Sequence, residues 1–407
     1  MPASNPPAAP PPAGQSAEVF RVFLKLGLTA FGGPVAHLGY MRDEFVQRRG
    51  WLDDARFAQL LAICQFLPGP ASSQLGFAIG LQHGGWRGAL RAFAGFTLPS
   101  ALLMFGFATL APLLGHGAGL AVLHGLKLVA VAVVAHALLG MARQLTPDAP
   151  RLLIAIAALA LLLVAASAWM QLVAIGLGGL LGTWLCRHVQ APAAAPLSVP
   201  GGARLAGACL ALFLAGLAAA LLLPASTTSG IADVAGAFYR AGALVFGGGH
   251  VVLPLLQHTV VDSGWVNRDT FLAGYGAAQA LPGPMFSLAA FLGAEIPLGL
   301  PAALGATVAL LAVFLPGFLL LLAVLPAWAR LARLSLARGA LAGINAAVVG
   351  LLAAAFHDPV WTQGVRTPAD LVIAAAGFAL LAVARVHALW VVLGCVAATL
   401  ALQLVGQ

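Results

Sequence analysis

Apolar runs of membrane-spanning length follow one another from end to end of this chain, and that feature decides what it can fold into. They fall near residues 18–40, 57–82, 90–114, 119–142, 152–168 and 170–187, then 204–223, then 231–256, 271–296, 302–326, 339–356, 368–384 and 386–404. A bilayer core takes about 20 apolar residues of helix. Of 407 residues, 61% are hydrophobic and only 8% charged. About a quarter of a soluble domain is charged, so a soluble fold is excluded. Runs that are continuous rather than alternating exclude a β-barrel. The expected fold is an all-α polytopic membrane protein.

The runs are interrupted twice in the same way. The first copy reads Lys25-Leu26-Gly27, Phe31-Gly32-Gly33, Gly50-Trp51 and Gln65-Phe66-Leu67-Pro68-Gly69-Pro70. The second reads Arg240-Ala241-Gly242, Phe246-Gly247-Gly248, Gly264-Trp265 and Gln279-Ala280-Leu281-Pro282-Gly283-Pro284. The offset is nearly constant: 240 − 25 = 215, 246 − 31 = 215, 265 − 51 = 214 and 282 − 68 = 214. Paired Gly/Pro-interrupted segments at matching places in two halves point to a transporter's substrate site. The expected organisation is a Pro/Ala-rich tail over 1–16, a repeat over 17–187, a loop and linker helix over 188–230, and a second repeat over 231–407.

Seven segments separate the start of one copy from the start of the other, and an odd number turns the second copy upside down. The linker segment beginning at Leu205 supplies that parity. Arginine placement fits an N-terminus in the cytoplasm, since basic residues gather on that side. Arg87, Arg91, Arg143, Arg151, Arg187, Arg204, Arg330, Arg333, Arg338 and Arg385 then lie inside. Arg42, Arg48, Arg49 and Arg56 join them if the two broken segments of each half are re-entrant, leaving Arg268 and Arg366 outside. The C-terminus is then periplasmic. Irregular backbone at membrane depth is tolerated where protein or a water-filled cavity covers it.

The Leu-Pro-Gly-Pro blocks carry the chemistry. Pro68 and Pro282 end a helix, Gly69 and Gly283 are free to take positive φ, and Pro70 and Pro284 suit the start of a new helix. The N–H groups of Ala71, Ser72 and Ser73, and of Met285, Phe286 and Ser287, then lack intrahelical partners, which makes a helix end that binds anions. Ser73 and Ser287 are equivalent (287 − 73 = 214) and add hydroxyls, and Gln65 and Gln279 match across the repeat. A proline kink explains one such block, and close helix packing explains a lone glycine. Neither explains registered pairs, so Gly32, Gly33, Gly247 and Gly248 join the candidate site.

Lys25 and Arg240 match as cations one or two turns before the Gly-Gly breaks. Charge near a membrane core is costly and marks function, although snorkelling to the interface is the alternative. Two cations and two helix ends bring roughly three positive charges to one point, which suits a dianion. Candidates for moving protons are His37, His250 and Glu295, with Lys127 and His136 expected on one rough helix face. The net charge of +8 is explained by cytoplasmic arginines, so no nucleic-acid partner is expected. Cys64, Cys186, Cys209 and Cys395 are scattered, and neither a disulfide nor a metal site is expected. No catalytic triad, phosphate-binding loop or metalloprotease signature occurs, so neither an enzyme activity nor a cofactor is expected. The oligomeric state is not legible.

Phe31-Gly32-Gly33-Pro34, Phe246-Gly247-Gly248-Gly249-His250 and both Leu-Pro-Gly-Pro blocks resemble the chromate ion transporter family in its long two-domain form. The resemblance covers nearly the whole chain outside the tail and the 188–203 loop. It implies two homologous halves of opposite orientation. It also implies export of chromate from the bacterial cytoplasm across the inner membrane, conferring resistance, with sulfate as the structural look-alike. The residues by themselves argue for a small tetrahedral oxyanion. A carrier of another oxyanion on the same scaffold, or a non-transporting membrane protein, are the rival readings.

Overall fold

The computed structural model describes every residue except 1–12, 32, 115, 166–167, 189–201, 223–229, 247–250, 332–333 and 406–407. The described residues are mostly helical, and no strand occurs among them. The first half comprises α1 (Ala13–Thr29), α2 (Gly33–Arg42), α3 (Asp54–Phe66), α4 (Ala71–Leu110), α5 (Ala118–Leu145), α6 (Ala149–Val164) and α7 (Ala168–Leu185). Helix α8 (Gly202–Leu222) follows. The second half comprises α9 (Ile231–Leu244), α10 (Val252–Leu256), α11 (Arg268–Ala280), α12 (Leu288–Glu295), α13 (Ala302–Val324), α14 (Trp328–Leu331), α15 (Ser335–Ala355), α16 (Thr362–Gly364), α17 (Pro368–Ala382) and α18 (Ala388–Val405). Helix α4 is two limbs in one, because Gly84 and Gly85 leave helical geometry in its middle.

Local chemistry repeats along with the helices. A π-helical turn follows α2 at Asp43–Arg48 and α10 at Gln257–Val261. The Asp53 carboxylate accepts from the Arg56 N–H to cap α3, and Asn267 accepts from the Thr270 N–H to cap α11. These caps lie 214 residues apart (267 − 53). Each satisfies an N–H that helix geometry leaves without a partner. Elsewhere Asp148 caps α6, and Thr367 with Asp370 forms a capping box at α17.

Among the described residues five stretches are long and apolar enough to cross a membrane: Ala71–Leu110, Ala118–Leu145, Gly202–Leu222, Ala302–Ala327 and Ser335–Gly364. Helices α3 and α11 have 13 residues each. At 1.5 Å per residue they reach about 20 Å, short of the roughly 30 Å hydrocarbon core. They belong to hairpins. Arg56 Nη2 donates to Gln82 Oε1 at 3.0 Å, and Trp51 stacks on His83 with ring centroids 3.8 Å apart, so α3 and the first limb of α4 lie side by side. The Phe291 ring of α12 likewise covers Gly274 of α11. The chain thus turns back on itself at each Leu-Pro-Gly-Pro block. Helices α1 and α2 form a similar hairpin, with Phe23 stacked on Phe45 at 4.9 Å and Arg49 ion-paired to Glu18 near the start of α1.

The halves interlock. Helix α5 packs with α17 and α18 of the other half, and α15 packs with α6 and α7. Small residues allow the approach: a Cβ at Gly182 would lie 2.2 Å from the Gly339 carbonyl oxygen, and one at Gly350 would lie 2.4 Å from that of Ala155. Close packing through small residues drives helix association where lipid removes the hydrophobic incentive. Helix α8 packs on α9 and α13, where the Tyr239 hydroxyl donates to the Phe213 carbonyl at 3.1 Å.

Candidate functional site

The four breaks pair off across the halves. The Gly69 N–H donates to the Val245 carbonyl at 2.7 Å, and the Gly283 N–H donates to the Ala30 carbonyl at 2.9 Å. Donors and acceptors are themselves repeat-related (283 − 69 = 214, 245 − 30 = 215). The tip of each hairpin is therefore tied to the residue just before the Phe-Gly-Gly segment of the opposite half. Both tip glycines need positive φ, +118° at Gly69 and +92° at Gly283, a region that penalises any side chain. Space forbids one as well. A Cβ at Gly69 would lie 3.0 Å from Gly317 Cα, and one at Gly283 would lie 2.9 Å from Ser100 Oγ.

Gly317 and Ser100 belong to a third repeated motif, Leu315-Pro316-Gly317 and Leu98-Pro99-Ser100, at an offset of 217 (316 − 99). It forms the seats for the two tips. A sequence reading alert to Leu-Pro-small recurrence finds it; the reading above passed over it. That reading also missed Gln74, whose Nε2 donates to the Pro68 and Gly317 carbonyls, each at 2.9 Å. Gln74 braces the first tip directly, and its counterpart in the second copy is Leu288 (288 − 74 = 214).

Pro68, Gly69, Pro70, Ser72 and Ser73 are buried, as are Pro282, Gly283, Pro284 and Ser287. The two helix starts differ. Helix α4 begins with the Gln74 N–H donating to the Pro70 carbonyl at 2.8 Å, which leaves the N–H groups of Ala71, Ser72 and Ser73 ahead of the first intrahelical bond. The second copy opens with a tighter 3-10 turn over Met285–Ser287, in which the Ser287 N–H donates to the Pro284 carbonyl at 3.0 Å. Ser287 is thus not the free backbone donor that the sequence led one to expect.

Four polar atoms near the two tips are buried without a hydrogen-bond partner among the described residues: Ser73 Oγ and Gln74 Oε1 at the first, and Thr97 Oγ1 and His37 Nδ1 by the second. Buried polar atoms are normally paired, and an orphan calls for a functional or structural explanation. The Phe96 ring stands edge-on to the His37 ring at 5.4 Å. His37 Nε2 lies 3.1 Å from the Ala30 carbonyl, the same oxygen that accepts from Gly283. That contact assigns the proton to Nε2, leaving Nδ1 as an acceptor until the ring takes a second proton. The junction therefore offers two hydroxyl donors, the N–H groups of one helix start and one histidine.

The remaining candidates are dispersed. Gly33 opens α2 at φ +76°. Gln279 is half-buried and donates to Met285 Sδ at 3.0 Å, whereas Gln65 is exposed. Lys25 is exposed and Arg240 half-buried, so Lys25 stands outside the buried set. Gly32, Gly247, Gly248 and His250 lie outside the described residues. Lys127 and Glu295 line one cavity at the base of the second hairpin. Lys127 is buried and His136 exposed. Nine residues at about 100° each end half a turn away, so the two do not share a face as expected.

Paired broken hairpins tied tip to break across two interlocked halves define a polytopic helical membrane protein with a polar junction at its centre. The chain belongs to the chromate transporter family: the family's sequence model, described as "Chromate transporter", matches residues 17–183 and again residues 232–400. The chain is 32% identical over 380 residues to a chromate transport protein of Pseudomonas aeruginosa, covering 92% of this chain and 88% of that one. It is 31% identical over 395 residues to a probable chromate transport protein of Synechococcus elongatus, covering 90% and 95%. It is 31% identical over 346 residues to a chromate transport protein of Cupriavidus metallidurans, covering 82% and 80%. No solved structure matches the chain.

Proposed function

We propose that the chain is a secondary transporter that carries chromate, a tetrahedral dianion, out of the cytoplasm across the bacterial inner membrane and so confers resistance. The observation that carries this reading is the reciprocal pair of bonds from Gly69 to Val245 and from Gly283 to Ala30, which gathers repeat-related breaks at one junction. Next to it lie the orphaned hydroxyls of Ser73 and Thr97. An oxyanion there exchanges water for fixed donors, which offsets the cost of taking it into a low-dielectric interior. In this reading the 17–187 and 231–407 repeats are inverted, the hairpins re-enter the membrane, the N-terminus is cytoplasmic and the C-terminus periplasmic. The ion pair of Arg49 with Glu18 supports the sidedness, because it sets the arginine-rich turn beside the start of α1. His37 couples a proton to the anion, since only its doubly protonated ring presents a donor at Nδ1.

Chromate accumulation decides the matter, measured in cells with and without the chain across a range of external sulfate. Lower accumulation with the chain, held against excess sulfate, is the expected result. Loss of the difference when sulfate is added would make sulfate, or oxyanions at large, the cargo. Equal accumulation at every sulfate concentration would remove the export reading.

A further inference from the structure

A cavity of about 780 Å³ opens at the base of the second hairpin, where α11 begins and α12 ends, against α5. Its deepest charge is Lys127, whose side chain is only 8% exposed and whose Nζ lies 2.6 Å from Asp269 Oδ1. An ammonium so buried needs an anion beside it. The anion it has is a peripheral one. The Asp269 side chain is 57% exposed and also faces the Arg366 guanidinium at 3.6 Å. Asp269 does not cap α11, because Asn267 does. The equivalent position in the first hairpin is Ala55 (269 − 55 = 214), so a hairpin of this kind forms without a carboxylate there. Asp269 is shared between Lys127 Nζ and the Arg366 guanidinium, and a dianion would engage both, while His124 on the same wall has its own carboxylate in Asp370 at 2.7 Å. Arg268 adds a third cation to the wall, paired at 3.7 Å with Asp358, while Glu295 faces the cavity from α12.

We infer that this cavity is a second oxyanion site, in which the Asp269 carboxylate holds the place of a small divalent oxyanion. The arriving dianion takes Lys127 Nζ and the Arg366 guanidinium, and Asp269 turns outward into water, where it is already more than half exposed. The site rests on the reading of the chain as an oxyanion carrier and adds to it a vestibule separate from the junction at the hairpin tips. A tethered competitor of this kind keeps the buried lysine neutralised when the vestibule is empty and favours a double charge over a single one.

The test is equilibrium binding of sulfate, a redox-inert divalent probe, to the full chain in lipid nanodiscs by calorimetry. Asp269→Asn removes the competitor and is expected to tighten sulfate binding about tenfold while tightening nitrate binding less. Arg366→Gln, at the exposed rim, is expected to weaken sulfate binding about tenfold, and Lys127→Gln to abolish it at this site. Should Lys127→Gln fail to fold, the other two variants decide. Sulfate affinity unchanged in both Asp269→Asn and Arg366→Gln would overturn the vestibule. Cellular chromate accumulation reads the carrier function independently. Intact export with unresponsive sulfate binding sinks the vestibule alone, and tighter binding in Asp269→Asn without any export supports the site while sinking the transport reading.

Discussion

The two hairpins meet their neighbours differently. In the second half, α11 is pressed onto α5 so closely that a Cβ at Gly276 would lie 2.0 Å from the Leu126 carbonyl oxygen. The residue equivalent to Gly276 is Ala62 (276 − 62 = 214), which carries that Cβ. There α3 stands off from α15, and a cavity of about 320 Å³ lies between them, lined by Gln65, Arg338 and Asn345. The Asn345 Oδ1 is buried without a partner among the described residues. Two repeat-related interfaces therefore differ in the structure, one in contact and the other separated by a cavity. A glycine permits contact on one side, and a single methyl group stands in its way on the other.

The sharpest way to break the comparison is Gly276→Leu. With a backbone carbonyl 2.0 Å from the new Cβ, no flexible group is available to yield. The closed interface should lose about 3 kcal/mol, the upper end for overpacking. Export should fail while membrane insertion persists, as measured by chromate efflux beside expression level; efflux at the wild-type rate would mean that closure here is not part of transport. Ala62→Gly is the opposite change and should narrow the 320 Å³ cavity.

The brace at the first tip is the next difference. Gln74→Leu makes the first copy resemble the second at this position, but it strips the Pro68 and Gly317 carbonyls of a shared donor. Each buried carbonyl left unpaired costs about 1–3 kcal/mol. Thermal stability in detergent should fall accordingly, whereas Leu288→Ala in the second copy should act only through lost packing. Equal effects from hydrogen-bond loss and cavity formation would show that the brace contributes nothing specific.

The matched cations should separate by burial. Arg240, half-buried, should lose more apparent chromate affinity on replacement by alanine than exposed Lys25. About tenfold against less than threefold is the expected contrast, with a larger deficit for divalent than for monovalent anions. The reverse order would place Lys25 nearer the pathway.

The smallest effect concerns a cap at the loop between α5 and α6. The Arg151 side-chain hydrogen bonds hold the Asp148 carboxyl well below the usual carboxylate range, against the opposing pull of partial burial. A carboxyl whose folded pKa is depressed stabilises above its unfolded pKa, and that stability fades as pH falls toward the folded value. Asp148→Asn keeps the cap but loses the ion pair with Arg151, and should therefore cost about 0.5 kcal/mol at neutral pH. The gap to wild type, read from thermal midpoints, should close as pH drops below about 4. A gap independent of pH would assign the effect to the cap geometry rather than to the charge.

The sequence by itself determined the membrane class, the apolar segments and the places where helices break. Each of these is local: apolar length, proline and glycine act on the turn in which they sit. Registered offsets then revealed two copies, and the tips at Gly69 and Gly283 were legible from them. What lay beyond reach was contact between residues far apart in the chain. The bonds from Gly69 to Val245 and from Gly283 to Ala30 join segments 176 and 253 residues apart (245 − 69, 283 − 30), and no spacing rule announces them. The same limit hid Gln74, which looks like an ordinary polar residue in a helix until Gly317 comes to meet it. Lys25 and Arg240 matched in register yet differ in burial, because equivalent positions in two copies share a backbone path and not their neighbours. Whether α3 or α11 closes on its partner was likewise decided only in three dimensions, since packing responds to single methyl groups at points of contact that only the assembled fold creates.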